Sequence, residues 1–372
     1  MLPQKKILLA CYEVPGWGGA STATYQLFEM LQADHIDVTL VNIIGQHDSA
    51  YFSYRFGTDM GNPRKLSQVH NCQLFGNNYQ HHVQLEELIN QINPDVMVGV
   101  GWPAAYILKA ANAKRKLVYI TTGCGWMGLY ADKKRGNSLQ SVTQNELLNP
   151  KMITGNDALE ERAIAMSDLV VAHSDINLLL YRTLYPGHAG KMYERVVWFS
   201  EWIYQEALQY QALGKPFDDR EIDVLFVAND WSRQEKNFWL VKKLIQRLHK
   251  LNIHIVGELP EPLGGPTHHD FIATRESLFA LMANTRVVVS ASAYDAAPGI
   301  LFEAAAMGCN IVTSKNCGNW ELCHPDLLAD RASAGSFEPR IAHATNRYYP
   351  NNIARFNEKR SYDDLKNLLT VF

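Results

Sequence analysis

The sequence is short of the features that mark several special classes of protein. Its six cysteines, at positions 11, 72, 124, 309, 317 and 323, include no Cys-x-x-Cys pair, so the spacing of a metal-binding knuckle is absent. Most of them stand in or beside apolar runs, as expected for small core residues in a reducing compartment. No apolar stretch approaches the roughly 20 residues of a membrane-spanning helix. The net charge of −3 gives no indication of a nucleic-acid partner. These absences favour a soluble cytoplasmic protein and leave attachment to the inner face of a membrane open.

The first residues have some likeness to a lipoprotein signal, because two lysines precede an apolar run that ends at Cys11. The run Ile7–Ala10 is far shorter than the roughly 7–15 residues of a signal core. We therefore predict that Ile7–Cys11 is a buried β-strand.

Short apolar runs alternate with helical patterns along most of the 372 residues. This alternation predicts an α/β fold with two Rossmann-like, doubly wound domains that face each other across a cleft. The boundary is expected near 200–218, which gives an N-terminal domain over 1–200, a C-terminal domain over 201–349, and an amphipathic segment over 350–372. The predicted strands are Ile7–Cys11, Val38–Ile44, Val96–Val100, Leu117–Thr121, Leu169–Ala172, Val224–Ala228, Ile253–Val256, Val287–Ser290 and Ile311–Thr313. The segment 123–154 has no clear period and is interpreted as a loop, either mobile beside the cleft or simply solvated.

The most informative stretch runs from Val287 to Thr313 and predicts strand, loop, helix and strand. The loop enters the helix through Pro298 and Gly299. The first amides of a helix have no partner within it, and its N-terminus carries partial positive charge. We therefore expect the backbone N–H groups of Gly299, Ile300 and Leu301 to donate hydrogen bonds to a diphosphate.

Two acidic residues, Asp295 and Glu303, frame this entry to the helix. Carboxylates accept hydrogen bonds well from sugar and ribose hydroxyls, which makes the segment suitable for a nucleotide sugar. On spacing alone a second interpretation stays open, in which Glu303 complements the helix dipole and Asp295 is a turn residue.

The loop after the predicted strand Val224–Ala228 carries Arg233 and Lys236 just before a helix. Cations are disfavoured at a helix N-terminus, so their position calls for a reason. A bound diphosphate supplies one, because Arg binds phosphate in bidentate fashion and Lys acts as a point charge. Two solvated residues at a helix start are the alternative.

Together these segments resemble family 4 of the retaining glycosyltransferases, which have the GT-B fold of two Rossmann-like domains. The family signature of an acid, seven residues, Glu and a small-residue helix is matched by Asp295 and Glu303, with Asp in place of the usual Glu. Arg233 and Lys236 match the cations that neutralise the donor diphosphate.

Three glycines extend the resemblance along the chain. Gly18 and Gly19 match the family's glycine turn after the first strand, and Gly257 matches a turn near the nucleotide base. The His that many members carry after the strand equivalent to Leu117–Thr121 is missing, and Thr122 or the Gly123–Gly125 backbone takes its place. Asp168 and Ser174 match a further motif and are interpreted as structural.

By this resemblance, Glu303 binds the ribose hydroxyls, Asp295 lies near the donor sugar, and the Pro298–Leu301 segment meets the sugar and diphosphate. Asp295, Arg233 and Lys236 are the expected catalytic residues. The resemblance also implies that the N-terminal domain binds the acceptor, that the C-terminal domain binds the nucleotide sugar, and that a final helix over 350–372 returns to the N-terminal domain. The implied reaction moves a hexose, with UDP-glucose as first candidate donor, to a glycan or lipid-linked acceptor with retention. Neither a cofactor nor a metal is expected, since the chain has no Asp-x-Asp motif and the pairs His81-His82 and His268-His269 are interpreted as surface loop or helix-edge residues.

Two other functions remain open on the sequence. One is an inactive GT-B protein that binds carbohydrate or nucleotide sugar, which the Asp295 substitution and the missing His would suit. The other is a nucleotide-sugar epimerase, which shares the architecture.

Overall fold

The computed structural model describes residues 5–12, 19–44, 69–73, 83–123, 158–194, 201–270, 272, 274–353 and 362–372. Gly18, His81-His82 and nearly all of the predicted loop 123–154 lie outside these described residues.

The N-terminal half builds a parallel sheet covered by helices. Its strands are β1 (Lys6–Cys11), β2 (Asp37–Ile44), β3 (Val69–Gln73), β4 (Val96–Val100), β5 (Lys116–Ile120) and β6 (Leu169–Val171). Its helices are α1 (Gly19–Ala33), α2 (Val83–Ile92), α3 (Trp102–Ala111), α4 (Ala158–Met166) and α5 (Asp175–Leu184). The strand order is β3-β2-β1-β4-β5-β6.

The C-terminal half repeats this plan. Its strands are β7 (Ile222–Asp230), β8 (Ile253–Glu258), β9 (Thr267–His269), β10 (Thr285–Val289), β11 (Asn310–Ser314) and β12 (Leu328–Ala329). Its helices are α6 (Glu201–Leu208), α7 (Phe238–Arg247), α8 (Arg275–Ala283), α9 (Ile300–Ala306) and α10 (Ala334–Ala344). The order β12-β11-β10-β7-β8-β9 is the topology of the first sheet, so the predicted pair of doubly wound units is confirmed.

The central strands are apolar runs because both faces of each sheet are covered. Every residue of β4 and β11 is buried, and β1 is buried except at its first residue, Lys6. The prediction that Ile7–Cys11 is a buried strand is confirmed.

The sequence did not predict the polar edge strands or one helix that contains a proline. His268 and His269 lie in the edge strand β9, so the prediction of a loop or helix edge for this pair is wrong. Strand β9 reads Thr-His-His and has no apolar alternation, since its side chains are largely solvent-facing. Helix α10 contains Pro339, which interrupts the helical pattern on which sequence reasoning relies.

The final helix, α11 (Tyr362–Val371), packs on the N-terminal sheet rather than on the C-terminal one. Tyr362, Leu365 and Leu369 join the core that α1 and β1 form. The ammonium of Lys366 pairs with Asp34 at 2.9 Å, which fixes the helix to the end of α1. Among the described residues, no helix combines the length and apolar character needed to cross a membrane.

Candidate active site

The site begins at the switch point of the C-terminal sheet, where β7 and β10 lie side by side. The chain leaves these two strands in opposite directions, so the loops at their carboxyl ends flank a crevice. The loops are fastened together by backbone contacts. The N–H of Ala293 donates to the Glu235 carbonyl at 2.8 Å, and Nδ2 of Asn237 donates to the Ala291 carbonyl at 3.2 Å.

Two predicted catalytic residues meet across these loops. Lys236 Nζ lies 2.6 Å from Asp295 Oδ2, and the two side chains are 21% and 16% exposed. They are separated by 59 positions in the chain, and the strand order is what brings them together. The pair is therefore a largely buried cation and carboxylate at the crevice where ligands bind in folds of this topology.

Arg233 does not join this pair. Its guanidinium donates through Nε to Glu235 at 2.7 Å, and its side chain is 55% exposed. Arg233 is thus held by its own loop, at the solvent-facing side of the crevice.

The backbone on both sides of Asp295 is fixed by the chain that follows β11. The Asp295 N–H donates to the Asn316 carbonyl at 3.3 Å, and the Gly318 N–H donates to the Asp295 carbonyl at 2.7 Å. A Cβ at Gly318 would lie 1.8 Å from the Ala296 carbonyl oxygen, so only glycine fits there. Burial, reinforced by the charge of Asp295, raises the pKa of the Cys317 thiol to about 11. The Cys317 thiol is therefore expected to stay protonated at neutral pH.

The predicted phosphate-binding segment leads into the short helix α9, which spans 7 residues. Gly299 stands at its N-cap with helical backbone angles, and a Cβ there would lie 3.2 Å from Ile203 of α6. The Leu301 N–H already donates to the Pro298 carbonyl at 3.3 Å. Of the predicted amide donors, that of Leu301 is therefore turned into the helix.

Glu303, on the first turn of α9, is almost wholly buried and paired with Arg275 at the start of α8. Its Oε1 lies 2.9 Å from Arg275 Nη2, and Arg275 Nε lies 2.7 Å from Oε2 of Glu206. One arginine thus bridges the predicted ribose ligand and the connector helix α6.

Sequence reasoning missed both Arg275 and Glu206. The available indication was a cation in the first turn of a helix, where the dipole disfavours it. The same argument had been applied to Lys236.

Gly257 closes the crevice at the end of β8. Its φ is +113°, and a Cβ would lie 1.7 Å from the Ala228 carbonyl oxygen, so any side chain would collide with β7. Gly19 is the first residue of α1 on the opposite unit.

Asp168 and Ser174 hold the N-terminal unit together. Burial alone raises the pKa of Asp168, but the N–H of Leu117 and the ammonium of Lys109 outweigh it and lower the pKa below its ordinary value. Ser174 caps α5 by accepting the N–H of Asn177. Both side chains have the structural roles that the sequence predicted.

The described residues contain no group of three or more His, Cys, Asp or Glu arranged to hold a metal ion. His254 and His269 contact each other, with ring nitrogens 2.9 Å apart. Burial and the neighbouring His268 lower the pKa of His269. Burial and the neighbouring His269 lower the pKa of His254.

Comparison with known proteins finds a family match over the C-terminal unit. Residues 221–345 match the family model described as Glycosyl transferases group 1. No curated protein sequence matches the chain.

Several solved structures share the fold. HepE of Anabaena, in complex with UDP and glucose, has a TM-score of 0.64 at 15% identity, covering 99% of this chain and 100% of that chain. Sucrose-phosphate synthase from Thermosynechococcus elongatus has a TM-score of 0.63 at 15% identity, covering 91% and 89%. UDP-GlcNAc 2-epimerase from Methanocaldococcus jannaschii has a TM-score of 0.54 at 11% identity, covering 99% and 100%. At identities of 11–15%, these similarities establish a shared fold and give no information about the substrate.

The family match over the C-terminal unit, which contains Lys236, Asp295 and Glu303, confirms the predicted glycosyltransferase, and the two parallel sheets with their structural neighbours confirm the GT-B fold.

Proposed function

We propose that this glycosyltransferase moves a hexose, with UDP-glucose as first candidate donor, to a glycan or glycolipid acceptor with retention at the anomeric carbon. The observation that carries the proposal is the Lys236–Asp295 pair at 2.6 Å, at the switch point of the unit that matches the family model. The UDP and glucose bound in the structurally similar HepE support a UDP-sugar as donor.

Lys236 is suited to grip the donor diphosphate. An ammonium has three N–H donors, and the carboxylate of Asp295 is its partner in this structure. As the bond between sugar and diphosphate breaks, negative charge grows on the leaving phosphate oxygen, and a fixed cation beside it stabilises that charge. Arg233 is a second cation on the same loop, and in this proposal it contributes to binding the same anion.

The carboxylates take the hydroxyl-binding roles in this proposal. Asp295 accepts from the donor sugar, and Glu303, oriented by Arg275, accepts from the ribose. Both carboxylates are engaged with cations in this structure, Asp295 with Lys236 and Glu303 with Arg275. The acceptor hydroxyl is therefore proposed to attack the face that the diphosphate leaves, and a leaving phosphate oxygen takes its proton.

Thermal unfolding with a panel of UDP-glucose, UDP-GlcNAc and GDP-mannose tests the donor site. Ligand at 100 times its Kd adds about 2.7 kcal/mol of stability, which is readily seen in Tm. Lys236→Ala and Glu303→Ala should each abolish the nucleotide-induced shift, measured against the same variant without ligand. Lys215→Ala, at an exposed ion pair with Glu221, is the matched control and should keep the shift. If both site variants respond as the wild type does, the donor site is assigned to the wrong residues.

Release of UDP from UDP-glucose, with and without candidate acceptors, separates this proposal from the two alternatives. A transferase releases UDP faster when its acceptor is present, and the product linkage keeps the donor's anomeric configuration. An epimerase converts the sugar without any acceptor. This alternative is tested because UDP-GlcNAc 2-epimerase has a similar fold. A binding protein releases none, and an inverted linkage would refute retention.

A further inference from the structure

The segment that carries Asp295 is held from both units of the molecule. Tyr294 and Ala296 are 3% and 4% exposed and pack within a core cluster of the N-terminal unit. Asp295, between them, turns the other way and meets Lys236. Alternate residues of an extended segment point to opposite sides, so the direction of the Asp295 side chain depends on how its two neighbours are docked.

Asn177 of α5 provides the polar part of this docking. Its Nδ2 donates to the Tyr294 hydroxyl at 2.9 Å, and its Oδ1 accepts from the Thr121 hydroxyl and, at 3.4 Å, from the His173 N–H. A backbone N–H can only donate, which fixes Oδ1 on that side and leaves Nδ2 for Tyr294. Asn177 and Thr121 are fully buried, and the other two are nearly so.

A second contact lies beside the first. A Cβ at Gly318 would lie 2.6 Å from Ser174 Oγ, so the chain after β11 approaches α5 closely. Gly318 is also the residue whose N–H holds the Asp295 carbonyl. The backbone of Asp295 is thus held to the C-terminal unit by Gly318, and Tyr294 holds it to the N-terminal unit.

We propose that Asn177, acting through Tyr294, is a positioning residue that aims Asp295 at the donor sugar. This inference rests on the proposed function, in which Asp295 contacts that sugar. The groups assigned to the nucleotide, Lys236 and Glu303, belong to the C-terminal unit and do not touch Asn177. Loss of the Asn177–Tyr294 bond should therefore impair sugar transfer more than it weakens UDP binding, because Lys236 and Glu303 are held by other contacts.

Tyr294→Phe is the sharpest test, because it deletes one hydroxyl and keeps the buried ring. We expect UDP release from UDP-glucose to fall about tenfold in kcat, the effect of losing one buried hydrogen bond. The Kd for UDP, measured by calorimetry, should change less than about twofold. A twofold change corresponds to less than half of the free energy that one hydrogen bond contributes. Hydrogen exchange of the 291–296 amides should quicken in the variant with no ligand present, which is a readout that does not depend on activity.

Asn177→Leu, of similar volume, should reproduce both effects. Tyr348→Phe, which alters a 45% exposed phenol beside Phe217, should show neither. The inference is overturned if Tyr294→Phe keeps the wild-type kcat and exchange rates. It is equally overturned if kcat and UDP affinity fall in parallel, because the tyrosine would then shape the whole nucleotide site. A wild-type protein that binds no nucleotide defeats the proposed function itself, and the positioning role with it.

Discussion

Breaking the ion pair between Lys236 and Asp295 should cost stability as well as donor binding. Removing either partner leaves the other as a charge in a site where the side chains are only 21% and 16% exposed. Exposed pairs contribute about 0–1 kcal/mol, whereas removal of one partner from a fully buried pair costs about 3–5 kcal/mol. For this partly buried pair we expect Lys236→Met and Asp295→Asn each to lower the free energy of unfolding by about 2 kcal/mol.

A double-mutant cycle measures the pair itself. The double variant Lys236→Met with Asp295→Asn should lose about 2 kcal/mol rather than the 4 kcal/mol expected from additivity, since neither charge is left alone. Urea unfolding of the four proteins gives the coupling energy. The exposed pair Lys215–Glu221, with side chains 43% and 71% exposed, serves as the control cycle and should show no measurable coupling.

Additive losses at Lys236 and Asp295, to within about 0.5 kcal/mol, would refute the view that their close contact is energetically meaningful. So would a gain in stability on removing Lys236, which would indicate that the cation is held there at a net cost until an anion arrives.

Three further outcomes follow from particular contacts. Gly257→Ala should destabilise the protein by more than about 3 kcal/mol and abolish UDP binding, because its Cβ would lie 1.7 Å from the Ala228 carbonyl oxygen; chemical unfolding and calorimetry measure the two effects. Burial lowers the pKa of His173 from the ordinary 6.5 to about 4. Between these pH values the native state binds fewer protons than the unfolded state, so the free energy of unfolding should fall as the pH drops, by about 3 kcal/mol over the whole window. His173→Asn should flatten this slope in urea titrations at successive pH values. Leu369→Ala should cost about 2–5 kcal/mol, because this side chain is fully buried in the N-terminal core, while Val371→Ala, at 82% exposure, should be neutral.

Each of these has a contrary result. Near-native stability of Gly257→Ala would mean that β7 and β8 can separate without loss. An unchanged pH slope for His173→Asn would assign the acid lability to other groups. Equal effects at Leu369 and Val371 would contradict the docking of the last helix.

Much of the architecture could be predicted because strands buried on both faces must be apolar throughout. Ile7–Cys11 and Ile311–Thr313 are continuous apolar or small-residue runs, and a parallel sheet is the environment that such runs suit. The meeting of Lys236 with Asp295 was also accessible, since the family resemblance assigns both residues to the donor site.

The parts that escaped prediction depend on tertiary contacts. Strand β9 pairs only along one edge and needs no apolar pattern, so Thr267–His269 has none. Arg275 looks like an ordinary helix-surface residue until the fold brings Glu206 and Glu303 to it from α6 and α9. Asn177 and Tyr294 belong to different units, and no local spacing connects them.

The return of the chain to its first unit affects how the molecule can be divided. Residues 211–219 form a largely exposed connection between α6 and β7, a natural place for a protease to cut. Such a cut would not release the first unit. Helix α11 would still lie on it through Leu365 and Leu369, and Lys5 would still donate to the Val371 carbonyl at 2.9 Å. The nicked protein should therefore run as one particle in size exclusion and separate only in denaturant, as a non-covalent complex of two complementary fragments.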